Sequence, residues 1–183
     1  MTSAVPAPVV LVGFMGAGKS TVGRLVARRL GVGFADSDDV ITQRTGRTPR
    51  DIFAMDGESA FRALERAVVR DLVGDRPAEA PVERTVGVLA LGGGAVEDAG
   101  TREVLRAARV VHLEVSFEQV RVRVGRDPGR PVLARPDLRE IFAARQAAYR
   151  EVANVVVPTD GLAPAAVADR VVAALSALTA PSA

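Results

Sequence analysis

Short apolar runs alternate with amphipathic stretches along most of this chain. Val9–Val12 is a continuous apolar run that ends at a glycine-rich loop, a pattern typical of a strand buried on both faces. Thr21–Leu30 then carries apolar residues at a helical spacing and stops before Gly31. Four later runs predict further strands, at Gly33–Ala35, Val86–Leu91, Val110–Val115 and Val155–Val157. The alternation predicts a three-layer α/β fold in which helices cover both faces of a five-stranded parallel sheet.

Two segments interrupt the alternation. Residues 37–73 carry enough helical pattern for two or three helices before the next strand, which predicts a helical lobe beyond the sheet edge. Residues 121–136 are dense in Arg, Gly and Pro and predict a mobile loop of the kind that closes over a site as a lid. Residues 75–84 contain two prolines and predict a solvated connection. We therefore expect one domain over residues 1–183, in which a core at 9–36 is followed by this lobe and this lid.

The composition limits the class of protein. With 183 residues, 48% of them hydrophobic, the chain can bury one core. It contains neither the run of roughly 18–20 apolar residues that spans a bilayer nor a signal-like start, so we expect a cytoplasmic protein that does not contact membranes. The absence of cysteine excludes disulfides and thiolate metal sites. A formal charge of +2 and 4% aromatic residues disfavour a surface that binds nucleic acid.

The loop after the first predicted strand carries the clearest chemical signal. Gly13–Ser20, with the sequence GFMGAGKS, fits the pattern G-x-x-x-x-G-K-[ST] and lies between a strand and a helix, as a phosphate-binding loop does. In such a loop the backbone N–H groups and the helix N-terminus surround phosphate oxygens. Lys19, the only lysine of the chain, would reach the outer phosphates, and Ser20 would supply an oxygen to Mg2+. The core at 9–36 is therefore predicted to bind a nucleoside triphosphate.

A second Mg2+ contact usually comes from a carboxylate at the end of a later strand. The third predicted strand ends instead in Gly92–Gly94, without an acid, so we look to Asp36 and Asp38 after the second strand. Parallel strands bring their carboxyl ends to one edge of the sheet, where one acid could support the metal while the other accepts a hydroxyl proton. The alternative is a helix-capping cluster, for which Ser37 and Asp38 are suited. The missing acid on the third strand favours the functional interpretation.

Several motifs occur in an order that extends beyond the loop. They are GFMGAGKSTVGR, DSD, DGESAFRALE, LGGGAV and RP. In this series the chain closely resembles the shikimate kinase family, from the first strand to the last helix. The resemblance implies a P-loop kinase fold similar to that of nucleoside monophosphate kinases. It also implies a monomeric enzyme that uses ATP and Mg2+ to phosphorylate the 3-hydroxyl of shikimate, giving shikimate 3-phosphate and ADP.

The resemblance also implies roles for individual residues. ATP would lie against the loop and the start of its helix, at Gly16, Ala17, Gly18, Lys19, Ser20 and Thr21. Asp38 would hold the attacking hydroxyl as the candidate base, and Asp36 would support Mg2+ together with Ser20. The substrate would be bound at its carboxylate by Arg62 and Arg145 and along its ring by Gly92, Gly93 and Gly94. Glu65 would orient Arg62, while Phe53 and Phe61 would wall the pocket, with helix packing as the alternative for both aromatic residues.

In the predicted lid, Arg130 precedes Pro131 as the family's catalytic arginine precedes proline. It would therefore close onto the phosphates as a third catalytic residue beside Asp38 and Lys19. Arg123 occupies the place of a lid arginine near adenine, with a solvated charge as the alternative. The chain departs from the family pattern at three places. A proline is lost between Arg145 and Tyr149, and the segment 75–84 is longer than usual, which we expect to have no catalytic consequence. Leu162 replaces a residue that is often polar or basic, so adenine would be held by backbone and packing.

His112, in an apolar strand, is predicted to be a core residue rather than a catalytic one.

Other functions are weaker. Another small-molecule kinase, for gluconate or a nucleoside monophosphate, would share the loop, but the pair Arg62 and Arg145 beside a glycine triplet suits a small carboxylic acid. A GTPase-type switch needs an N-K-x-D segment, which a chain with its single lysine at Lys19 cannot contain. A nucleic-acid motor is disfavoured by the composition described above.

Overall fold

One parallel sheet organises the part of the chain that the computed structural model describes, which is residues 7–74, 86–124 and 136–179. Its five strands are β1 (Val9–Val12), β2 (Gly33–Asp36), β3 (Val86–Ala90), β4 (Arg109–Glu114) and β5 (Val155–Pro158), as predicted within one or two residues at each end. They lie in the order β2-β3-β1-β4-β5, and every neighbouring pair is parallel. The chain leaves β1 toward one side of the sheet and later crosses to β4 on the other. The carboxyl end of β1 is therefore the switch point at which such sheets bind ligands.

Helices fill the connections between the strands. They are α1 (Lys19–Leu30), α2 (Ser37–Thr45), α3 (Pro49–Val73), α4 (Ala99–Leu105), α5 (Phe117–Val124), α6 (Leu138–Val152) and α7 (Pro164–Thr179), with a short 3-10 turn at Ala95–Glu97. The predicted helical lobe is the pair α2 and α3. Thr48 and Asp51 form a reciprocal capping box that starts α3, and the helix kinks at Gly57. None of the described helices is long and apolar enough to cross a bilayer.

The core is centred on β1, whose four residues are at most 1% exposed. A strand buried on both faces must be apolar throughout, which explains the continuous run that predicts it. Helix α1 packs against α7 and against the strands β3, β2 and β1. Because the whole of β1 is fixed by its neighbours, the loop that leaves its carboxyl end starts from a rigid position.

The lid prediction began too early in the chain. Residues 121–124 are the last turn of α5, where Val120 and Val124 are buried while Arg121, Val122 and Arg123 are exposed. The two buried valines are one helical turn apart, and their packing continues the helix into a segment that composition assigned to a loop. Residues 125–135 of the predicted lid, including Arg130, lie outside the described residues, as does the connection at 75–84.

Candidate active site

The loop Gly13–Ser20 joins β1 to α1 and curls around the side chain of Lys19. The Lys19 ammonium donates to the carbonyl oxygens of Gly13 at 2.8 Å and Phe14 at 3.2 Å. Gly13 has a φ of 148°, and a Cβ at this position would lie 2.5 Å from the carbonyl oxygen of Leu113. The turn therefore requires glycine. Among the described residues, no side chain caps the start of α1, so its first N–H groups offer the positive end of the helix dipole to an anion.

A hydroxyl and a carboxylate meet beside this loop. Ser20 Oγ donates to Asp36 Oδ2 at 2.6 Å, which joins the start of α1 to the end of β2. Asp36 Oδ1 accepts from the backbone N–H of Asp38 at 3.1 Å and so caps α2. The capping and metal interpretations of this segment are thus compatible, although the capping residue is Asp36 rather than Ser37 or Asp38. The described residues contain no cluster of three acids or histidines, so a metal here would take further ligands from elsewhere.

Asp38 and the glycine triplet lie next to each other. Ser37 is buried, and its hydroxyl accepts from the Gly92 N–H at 2.9 Å, which ties the end of β2 to the residues after β3. A Cβ at Gly92 would lie 3.0 Å from Asp38 Oδ1 and 2.5 Å from Glu65 Oε1. Burial raises the pKa of Asp38, and Asp36 raises it further, while Lys19 acts in the opposite direction. A carboxyl group with a raised pKa is better suited to accept a proton from a hydroxyl.

The two predicted carboxylate-binding arginines come from different helices to one end of the pocket. Arg62 on α3 donates to Glu65 Oε2 at 2.6 Å and lies 5.6 Å and 5.5 Å from the ring centres of Phe53 and Phe61. Arg145 on α6 is only 9% exposed. Helix α6 continues through this segment without the proline that the family pattern has, so the loss of proline does not displace Arg145 from the pocket.

Glu97 links these two arginines and is the residue that sequence reasoning missed. Its Oε2 atom accepts from Arg145 Nη2 at 2.8 Å and from Arg62 Nη2 at 3.5 Å. Glu97 follows the glycine triplet in the 3-10 turn, and only this turn brings it back over Gly94. A Cβ at Gly94 would collide with the Arg62 guanidinium. The sequence does show an acid, Glu97, three residues after Gly94. No periodic pattern distinguishes this acid from an ordinary surface charge.

The described residues line one pocket that joins these parts. Its walls come from the loop and α1 (Met15, Gly16, Gly18, Lys19, Ser20, Thr21), from β2 and α2 (Asp36, Asp38), from α3 (Pro49, Arg50, Phe53, Ala54, Phe61, Arg62, Glu65), from Leu91 and the triplet Gly92–Gly94, and from Arg145. Phe53 and Phe61 pack against each other and also line this pocket, so the two interpretations of these aromatic residues are compatible. Ala17 is 2% exposed and packs its side chain into the core beneath the loop.

Arg123 connects the loop to the other side of the sheet. It donates to the Gly16 carbonyl at 3.0 Å and to the Thr159 carbonyl at 3.0 Å, and its Nη1 atom also reaches Thr159 Oγ1 at 3.3 Å. Three acceptors hold the guanidinium although Arg123 as a whole is exposed, so its role near adenine stays a prediction. Thr159 belongs to the segment before α7 that the family pattern predicts to be the adenine edge. Arg123 therefore connects the loop to that segment.

His112 is a core residue, as predicted. It is fully buried in β4, and its ring lies 5.1 Å from that of Tyr149, whose hydroxyl donates to the Gly93 carbonyl. Burial lowers the pKa of His112 to about 4, so the imidazole is neutral at physiological pH. Through the Tyr149 hydroxyl, this packed pair holds the backbone of Gly93, the middle residue of the glycine triplet.

Glu65 is the most perturbed acid of the pocket. It is 1% exposed, and burial raises its pKa to about 7 although the Arg62 guanidinium beside it favours the charged form. The same burial acts on Arg62 in the opposite sense, lowering its pKa, but the carboxylates of Glu65, Glu97 and Glu58 outweigh burial and the pKa of Arg62 is raised. Arg62 is therefore a permanent cation held by three acids.

Comparisons with known proteins agree on one family. A family model described as shikimate kinase matches residues 15–176. The chain is 47% identical over 170 residues to a shikimate kinase of Streptomyces avermitilis, covering 91% of this chain and 94% of that protein. It is 45% identical over 177 residues to a shikimate kinase of Mycobacterium tuberculosis, covering 94% of each.

Solved structures give the same result. The shikimate kinase of Acinetobacter baumannii in complex with shikimate superposes with a TM-score of 0.85 at 36% identity, covering 97% of both chains. The shikimate kinase of Aquifex aeolicus superposes with a TM-score of 0.79 at 29% identity, covering 93% of this chain and 97% of that one.

Replacing Glu65 by glutamine should flatten the dependence of stability on pH. The folded-state pKa of about 7 exceeds the ordinary value of 4.5, so the folded protein holds this proton more tightly than the unfolded chain does. The resulting stabilisation is complete below pH 4.5 and is lost as the pH rises through about 7. Urea unfolding across that window should show wild-type stability falling relative to Glu65→Gln by about 1–3 kcal/mol. Glu58→Gln, on the same helix but exposed, should keep the wild-type slope; parallel profiles for wild type and Glu65→Gln would contradict the assignment.

Proposed function

Because the chain belongs to the shikimate kinase family, it is an ATP-dependent phosphotransferase, and we propose that the residues around this pocket transfer the terminal phosphoryl group of ATP to the 3-hydroxyl of shikimate. One observation carries the assignment of roles. A single pocket joins a phosphate-binding loop at one end, with Lys19 and Ser20, to two arginines at the other, with Asp38 between them. That arrangement suits a donor that carries phosphates and a small acceptor that carries a carboxylate.

At the nucleotide end, the loop Gly13–Ser20 holds the phosphates with backbone N–H groups and the start of α1. Lys19 is placed inside the curl of the loop and supplies positive charge to the outer phosphates. In the described part of the chain, the guanidinium of Arg123 adds a further cation beside Gly16. We assign Arg130 the role of neutralising charge during transfer, as the family pattern implies, although it lies outside the described residues.

Ser20 and Asp36 fit a bound Mg2+. Their oxygens already meet at 2.6 Å, both are hard donors, and a cation that keeps several water and phosphate ligands needs only one or two groups from the protein. When bound, Mg2+ would neutralise negative charge on the phosphates. The hydrogen bond between the same two side chains keeps them oriented toward the loop.

At the acceptor end, Asp38 would orient the 3-hydroxyl and accept its proton. Its raised pKa and its position beside Gly92 support this role. The glycine triplet would allow the ring to approach the backbone closely, with Gly93 held from below by Tyr149. Arg62 and Arg145 would bind the carboxylate with their planar forks. Catalysis of this kind rests on positioning and charge neutralisation, without a covalent intermediate.

We further propose that the protein acts as a monomer in the cytoplasm on ATP and shikimate alone. The main alternative is a kinase for another small hydroxylated acid, such as gluconate. A sugar kinase of Janibacter shares the fold at a TM-score of 0.63, but at 20% identity that likeness concerns the fold alone. The paired arginines beside the glycine triplet favour shikimate over a nucleoside monophosphate, which would present a base rather than a carboxylate.

A coupled assay of ADP release is the direct test of this function. Shikimate, gluconate and a nucleoside monophosphate should be offered side by side with ATP and Mg2+. We expect turnover with shikimate and background rates with the other two acceptors. A signal from gluconate alone would overturn the proposed acceptor, while no signal from any of the three would overturn the assignment of this pocket to a small-molecule kinase.

Replacing Asp38 by asparagine should slow turnover by about 10²- to 10⁴-fold while ATP binding survives, because a general base is lost at the acceptor end only. Turnover can be followed by ADP release and ATP binding by calorimetry. Asp39→Asn is the matched control, since Asp39 is the next residue of α2 but its side chain is 75% exposed and faces Arg24. Near-normal turnover in Asp38→Asn would remove its role as base.

Replacing Arg145 by alanine should raise the KM for shikimate by about 10- to 100-fold with little change in the KM for ATP, because a charge-assisted fork to the carboxylate is lost. Arg150→Ala is the matched control on the same helix, where the side chain is 62% exposed and pairs with Glu114. Equal effects of Arg145→Ala on both substrates would instead place Arg145 on the nucleotide side.

A further inference from the structure

A carboxylate of the protein itself occupies the space between the two arginines. Glu97 Oε2 lies 2.8 Å from Arg145 Nη2 and 3.5 Å from Arg62 Nη2, so one oxygen atom bridges guanidinium groups from two helices. The side chains of Arg62 and Arg145 are 14% and 10% exposed, whereas that of Glu97 is 40% exposed. The bridge thus joins two enclosed cations to an acid at the rim of the pocket.

The backbone of Glu97 is fixed independently of this bridge. Its N–H donates to the Gly94 carbonyl at 3.0 Å, and its own carbonyl accepts from Arg102 Nη1 at 3.2 Å. The next residue, Asp98, caps α4 and pairs with Arg66 at 2.8 Å. The side chain of Glu97 can therefore move while its backbone stays fixed. A change of rotamer would carry its carboxylate out to solvent without disturbing the turn.

The two arginines differ in how far they depend on Glu97. Arg62 also pairs with Glu65 at 2.6 Å and with Glu58 at 3.4 Å, so it stays compensated if Glu97 leaves. For Arg145, the described residues provide Glu97 as its ion-pair partner, and the Arg145 Nε atom is buried without a hydrogen-bond acceptor in that part of the chain. Glu97 contacts Arg145 through Oε2, so a ligand carboxylate that offered both of its oxygens could satisfy Arg145 more completely.

We propose that Glu97 is a built-in competitor for the substrate carboxylate, which must displace it from Arg62 and Arg145 in order to bind. The proposal rests on the function given above, in which these arginines bind the carboxylate of shikimate. Glu97 keeps the two cations paired while the pocket is empty and sets how tightly a carboxylate is held once it enters. It is thereby a residue that determines affinity for the acidic group, acting on binding rather than on phosphoryl transfer.

Replacing Glu97 by glutamine should therefore lower the KM for shikimate by about 3- to 10-fold, a modest change because the competing group is partly exposed. The kcat and the KM for ATP should stay within about twofold of wild type, since Glu97 contacts the arginine end of the pocket only. Glutamine keeps the size of the side chain and an oxygen acceptor. Glu58→Gln is the matched control, because it removes an acid from Arg62 alone at 3.4 Å and its side chain is 67% exposed; its KM should not change.

A second ligand separates competition from a general loosening of the pocket. The methyl ester of shikimate has the same ring and no charge, so its inhibition constant should be the same in wild type and Glu97→Gln. A higher KM for shikimate in Glu97→Gln, an unchanged one, or an equal gain for acid and ester would each overturn the proposal. If the wild-type protein does not phosphorylate shikimate at all, the failure belongs to the proposed function. Calorimetry with shikimate and each protein then tests the competition by itself.

Discussion

The close approach of Gly13 to the carbonyl of Leu113 is the constraint on which the rest of the site depends. The chain can turn from β1 into a loop around Lys19 only because no Cβ stands between the two backbones. The turn is rigid because β1 is held between β3 and β4 and is buried along its whole length. From this fixed start, α1 begins at Lys19 with its N–H groups turned to the loop. Ser20 reaches Asp36 at the end of β2, from which β1 is separated by β3.

Charged side chains of both signs line the remainder of the pocket, which is partly enclosed. Three acids, Asp36, Asp38 and Glu65, lie on the way from the loop to the cation Arg62. Burial raises the pKa of Asp38 and that of Glu65. Glu65 interacts with both groups, since it pairs with Arg62 and the negative charge of Asp38 also raises the pKa of Glu65. A proton added or removed at one of these groups therefore alters the charge felt by its neighbours.

The sequence is most informative where one local rule decides the structure. Buried strands require continuous apolar runs, and the turn around Lys19 requires glycine, so β1 and the loop could be predicted from composition and spacing. The absence of an acid after β3 directed attention to the end of β2, where the structure has Asp36 in contact with Ser20. The lid boundary was wrong because the packing of Val120 and Val124, a tertiary effect, extends α5 past the point where Arg and Gly dominate.

Glu97 could not be predicted because its contacts are set by tertiary structure. The arginine end is assembled from α3, the 3-10 turn and α6, and nothing in the spacing of Arg62, Glu97 and Arg145 along the chain reports that they converge. Enclosed cations need compensation, and in the absence of a ligand the protein must provide it from its own acids. Under the function proposed above, the carboxylate of the substrate would replace one that the protein already supplies. The affinity for the substrate would then be the difference between two interactions of the same chemistry, that of the substrate carboxylate with the arginines and that of Glu97 with them. The sequence around either arginine does not contain Glu97.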